Sequence, residues 1–171
     1  LAKKELEKRH KLSEKELEKR ALAIARAAII YGDLKNFRAN NIIFDIQKFL
    51  EFEGNTGPYL LYTYARAKSI LRKAKKKGGK FRLDEISEKE TNLIFALANF
   101  PEVVKNAYEG LAPNVIANYA YELSQKFNEF YHACQVIGHY NETFRVALVN
   151  AFTVVLKSSL DLLGIKVLDE M

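Results

Sequence analysis

Residues 54–77, GNTGPYLLYTYARAKSILRKAKKK, decide how this chain of 171 residues is read. The stretch opens on a turn. Asn55 or Thr56 is suited to cap a helix, and Pro58 fits the first turn, where a missing N–H has no helical partner. Leu60, Tyr64, Ala67 and Leu71 then recur three and four apart, which draws a core stripe. Tyr59 and Tyr62 share another side, with Arg66 one turn on. The stretch closes on a dense basic run, and Gly78-Gly79 places the helix end at about Lys77. A core helix has use for the rings and none for the cations. A helix that meets a polyanion carrying stackable bases has use for both.

Working outward, nearly every other segment also reads as helix. Ser13 and Glu16 form a capping box ahead of LEKRALAIARAAIIYG, where Leu17, Ala21, Ile24 and Ala28 make one apolar stripe and Gly32 is placed to stop the helix. Residues 33–53 are mixed, with a strand-like piece and then a short helix before Gly54. Ser87 with Glu90 repeats the capping box. Pro101 starts a short helix that Gly110 closes, and Pro113 starts a long one broken at Gly138. Asn141 caps the last long helix, which Gly164 stops. Capped helices joined by short loops predict an all-α, antiparallel helical bundle.

Charge and composition narrow the function. Residues 1–82 hold 21 Lys+Arg against 9 Asp+Glu, and residues 83–171 hold 6 against 12. That split suits an anionic partner for the first half, and it equally suits charged helices with solvated faces. No run of about 18 apolar residues predicts a membrane span. The start is charged throughout, unlike a signal peptide, and Leu1 in place of Met suits a piece of a longer chain. The single cysteine, Cys134, permits no internal disulfide and suits a buried thiol in a reducing cytoplasm. Three histidines (His10, His132 and His139) beside it make no metal-ligand cluster.

Apparent catalytic signals dissolve on inspection. KKKGGK at 75–80 ends a helix rather than opening one, and Phe81 stands where a phosphate loop needs Ser or Thr. VIGH at 136–139 lacks the first His of a class I nucleotide signature and sits between helices. Asp84/Glu85 and Asp169/Glu170 have no neighbouring base or nucleophile, so no catalytic residue is assigned.

One resemblance is specific. GNTGPYLLYTYARAKSILRKA (54–74) resembles the arginyl-tRNA synthetase stretch G-x-T-G-P-Y-L-Q-Y-A-x-A-R-x-x-S-I-L-R-K, matching at Gly54, Thr56, Gly57, Pro58, Tyr59, Leu60, Tyr62, Ala65, Arg66, Ser69, Ile70, Leu71, Arg72 and Lys73. Upstream, AIIYGDLKNFR (28–38) and IIFDIQKFLEFEGNTG (42–57) are similar to that family's A-x-x-Y-x-D-L-x-x-x-R and F-D-x-x-x-x-L-x-x-x-G-x-T-G. Downstream, FPEVVKNA, YELSQKFNEFY and RVALVNAFTVVLKSSLDLLGI follow its helical anticodon-binding domain. Leu61 and Tyr64 depart from the family, which often has Gln and His there.

The resemblance implies a fold of the class I synthetase anticodon-binding type. It divides the chain into a helical connector, 1–53, and an anticodon-binding bundle, 54–171. It implies a cytoplasmic, monomeric partner of tRNA(Arg), with no membrane role, joined to a catalytic domain of the same chain. That domain uses ATP with Mg to attach arginine, and none of its signatures occurs in these residues, so no cofactor is expected here. The alternative is a freestanding helical module that binds RNA or protein. The candidate tRNA contacts are Tyr59, Tyr62, Arg66, Arg72, Lys73, Lys75, Lys76, Lys77, Tyr131, Arg145 and Met171. Tyr131 and Met171 enter by resemblance alone. For each ring, half-burial with a bonded hydroxyl competes with stacking. For Arg66, Arg72 and Arg145, an internal carboxylate competes with phosphate, and for the lysines a merely solvated cluster does.

Overall fold

A computed structural model of the chain describes residue 3 and residues 13–74 and 86–171. Among these the chain forms seven helices: α1 (Glu14–Leu34), α2 (Ile46–Phe49), α3 (Gly57–Lys73), α4 (Glu88–Ala98), α5 (Phe100–Glu109), α6 (Pro113–Ala133) and α7 (Glu142–Leu162). No strand occurs among the described residues, so the strand-like piece before α2 is open chain. The helical expectation for 75–77 and the basic loop at 75–80 lie outside the described residues.

Local chemistry sets the helix starts. Thr56 Oγ1 accepts from Tyr59 N at 3.3 Å, so Thr56 rather than Asn55 caps α3. Asn55 instead meets the buried Tyr31 hydroxyl, 2.5 Å from its Oδ1. At α4 the capping box is complete: Glu90 N donates to Ser87 Oγ at 3.3 Å and Ser87 N donates to Glu90 Oε2 at 2.8 Å. Asn141 makes no side-chain cap on α7.

Two glycines have a tertiary role that local pattern does not show. Gly32 does not stop α1, which runs two residues further; a Cβ there would stand 2.5 Å from the Phe49 ring. A Cβ on Gly57 would stand 2.2 Å from the Ala27 carbonyl oxygen. Small residues at these two points bring α2 and α3 close against α1. At the end of α5 the left-handed residue is Leu111 (φ 46) rather than Gly110, so the turn keeps a backbone strain that glycine would relieve.

The helices enclose one continuous apolar core. α3 packs on α1 and α7, α6 on α4, α5 and α7. Phe127 of α6 and Phe152 of α7 are fully buried and stack with ring centroids 3.9 Å apart. Burial of such a ring contributes about 2–3 kcal/mol. α7 is long and apolar enough to cross a membrane by length and composition alone. One face of it packs into the bundle instead: Phe144, Leu148, Val149, Phe152, Leu156 and Leu160 are all buried, while Val154 and Leu162 are exposed. The core also crosses the boundary expected at residue 53, since Ile24, Ala27, Ala28 and Tyr31 of α1 belong to it. Only the other face of α1 meets solvent, with Leu22 and Ile29 exposed there.

Candidate nucleic-acid interface

A groove of about 730 Å³ opens between α3 and the end of α6, and α1 and the tail at 170–171 complete its rim. Tyr62, Arg66, Arg72, Lys73, Tyr131 and Met171 all line it. Six of the residues singled out from sequence are thus brought together. The spacing on α3 explains three of them: Tyr62, Arg66 and Lys73, with Ser69 between, advance by three or four and follow one side of the helix, while Arg72 stands next to Lys73 at its end.

Arg66 is the centre of the arrangement. Its guanidinium carbon lies 4.8 Å from the Tyr62 ring centroid and 5.1 Å from that of Tyr131. Both rings keep open surface, 36% for Tyr62 and 39% for Tyr131. Arg66 Nη1 donates to Asn128 Oδ1 at 2.6 Å and Nη2 to the Tyr62 hydroxyl at 3.3 Å. Among the described residues no carboxylate pairs with it. A cation beside two π faces is stabilised by about 0.5–1 kcal/mol per ring at exposed sites. The guanidinium therefore sits beside the rings of two partly exposed residues, and the Tyr131 ring also lies nearly parallel to that of Phe127, with centroids 6.5 Å apart.

Tyr59 has another position. It is half-buried, its hydroxyl accepts from Asn128 Nδ2 at 2.8 Å, and its ring meets Tyr121 at 5.6 Å. Burial pushes its phenol above the ordinary range, while the Asn128 bond pulls the other way. Tyr59 thus orients Asn128, which orients Arg66. Asn128 escaped the sequence reasoning. The available signal was its place three residues before Tyr131, on the same side of α6.

Arg145 takes the internal carboxylate that competed with a phosphate for it. It is buried, and its Nε donates to Glu90 Oε1 at 2.7 Å while Nη1 donates to the Gln135 carbonyl at 2.8 Å. Glu90 is wholly enclosed. Burial works against its charge, but bonds from Arg145 and Ser87 prevail and hold its carboxyl below the usual 4.5. The pair ties the start of α4 to the start of α7 and the loop after α6. It faces the interior because a guanidinium that leaves water needs its partner carboxylate there.

Arg72 and Lys73 stay exposed at the end of α3. Arg72 reaches the tail, donating to the Asp169 carbonyl at 3.0 Å. Lys75, Lys76 and Lys77 lie outside the described residues. Met171 is partly buried against the edge of the core. Arg20 of α1 joins the rim and pairs with Glu16 of the same helix at 2.9 Å. Among the described residues no group of three or more His, Cys, Asp or Glu side chains is placed to hold a metal ion.

Bundle and groove together define a class: an all-α domain that offers stacking faces and cations side by side, as contact with unpaired nucleic acid requires. The model of the DALR anticodon binding domain matches residues 60–171, and the chain belongs to that family. Arginine–tRNA ligase of Clostridium acetobutylicum is 43% identical over 169 residues, covering 96% of this chain and 30% of the relative. That of Thermoplasma acidophilum is 40% identical over 167 residues, covering 96% and 30%. Among solved structures, Thermus thermophilus arginyl-tRNA synthetase superposes with a TM-score of 0.91 at 33% identity, covering 99% of this chain and 30% of that one. The Plasmodium falciparum enzyme gives 0.88 at 29% identity, covering 99% and 31%. The chain thus spans about 30% of the length of the relatives it matches.

Proposed function

We propose that this chain is the anticodon-recognising part of an arginine–tRNA ligase and that its ligand is the anticodon loop of tRNA(Arg). The observation that carries this is Arg66, set beside the rings of the partly exposed Tyr62 and Tyr131 in a groove that leads to Arg72 and Lys73. An anticodon loop presents splayed bases and a row of phosphates. Bases stack on Tyr62 and Tyr131, at about 1–3 kcal/mol each. Arg72 and Lys73, followed in sequence by Lys75, Lys76 and Lys77, meet phosphates, and Met171 supplies an apolar lip. Tyr59 and Arg145 support the site from within. Residues 1–53 link the groove to the remainder of a ligase-length protein, monomeric and cytoplasmic.

In that protein the work of the domain is positional: it grips one end of tRNA so that the other reaches the catalytic centre. The described residues do not fit ATP with Mg, because they offer neither a phosphate-cradling glycine loop nor a carboxylate cluster. No step of arginine activation is therefore assigned to them. The test is equilibrium binding of arginine tRNA transcripts that differ only in the anticodon. Affinity should fall about tenfold or more when the anticodon is replaced, and should decline steeply with salt. Equal affinity for every anticodon would remove the anticodon from the proposal.

A further inference from the structure

The tail beside Met171 is acidic, and it lies on cations of the groove. Arg20 Nη2 stands 3.5 Å from Glu170 Oε2, and Arg72 Nη2 stands 3.6 Å from Glu170 Oε1. Lys68 Nζ stands 3.8 Å from Asp169 Oδ1. The two carboxylate side chains are 64% and 58% exposed, so these are solvent-screened pairs that exchange readily. They contrast with the enclosed Glu90–Arg145 pair, whose side chains are 0% and 9% exposed. A carboxylate offers a guanidinium the same paired acceptor oxygens that a phosphate offers.

We propose that Asp169 and Glu170 are an internal substitute for RNA phosphates. In the free chain they face Lys68 and Arg72, and Arg20, which Glu16 also holds at 2.9 Å, and a bound strand displaces them. This rests on the assignment of the groove to RNA made above. The consequence is selectivity. A polyanion with paired bases must break the tail contacts and gains no stacking in return. A loop with unpaired bases recovers that loss on Tyr62 and Tyr131. The tail therefore lowers affinity for RNA in general more than for the loop the groove fits.

The experiment compares the 171-residue chain with its Asp169→Asn/Glu170→Gln variant, using two labelled probes: an anticodon stem-loop of tRNA(Arg) and a blunt RNA duplex. Both substitutions keep shape on exposed side chains, and equal melting temperatures would verify the fold. The variant should bind the duplex roughly three- to tenfold more tightly, as expected when three screened pairs no longer have to be broken. Its preference for the stem-loop over the duplex should shrink, and its affinity should fall more steeply with salt. If the chain binds the stem-loop but the variant binds the duplex no better, the tail is only an anchor and this inference fails alone. If neither protein binds the stem-loop at low salt, the RNA assignment fails and this inference with it.

Discussion

At the scale of the residue, the two arginines that sequence could not tell apart have opposite fates. Arg66 lies against rings in an open groove, and Arg145 is enclosed with Glu90. What decides is the partner across the fold. Asn128 holds Arg66 at the surface, and a carboxylate 55 positions away draws Arg145 inward. Arg145→Met should cost about 3–5 kcal/mol at neutral pH, because Glu90 is left as an unpaired buried charge. The pH dependence follows from the sign of the Glu90 shift. Its folded pKa is depressed, so its contribution is present above the ordinary 4.5 and is lost as pH falls through the folded value. Urea unfolding of both proteins across pH 3–7 checks this. The gap between them should be widest near neutrality and narrow in acid, and a gap that is constant with pH would argue against the ion pair as its cause.

At the scale of the element, the bundle depends on close approach as well as on apolar stripes. The stripes of α1 and α3, the caps at Ser13, Thr56 and Ser87, and the prolines at helix starts were legible because each rests on neighbours in sequence. Gly32 and Gly57 were not, since what forbids a side chain there belongs to another helix. The two should respond differently to alanine. Gly57→Ala drives a methyl into the Ala27 backbone, which cannot step aside, and should cost about 2–3 kcal/mol. Gly32→Ala meets the Phe49 ring, which can rotate away, and should cost about 1 kcal/mol. Chemical denaturation ranks them; equal losses would mean that α1 and α3 separate more easily than their packing indicates.

At the scale of the whole molecule, the ion pairs between the basic first half and the acidic second half lie, among the described residues, where α1 and α3 meet the tail. Tyr62, Arg66, Arg72 and Lys73 were legible because a single helix presents them and a familiar motif carries them. Tyr131 and Met171 were legible only through resemblance, because α6 and the tail reach the groove by folding. Asn128, Arg20, Asp169 and Glu170 were not recognised as part of the site, since their roles exist only between elements. The groove itself is thus a tertiary product, and its occupant is the central question. Equilibrium binding of tRNA(Arg) to the chain and to its Tyr62→Leu/Tyr131→Leu variant addresses it directly. Loss of two stacking faces should weaken binding by about thirtyfold or more, while the unfolding free energy falls by only about 1–2 kcal/mol from the lost Arg66–ring contacts. Unchanged affinity in a folded variant would mean that the rings of this groove do not hold the RNA.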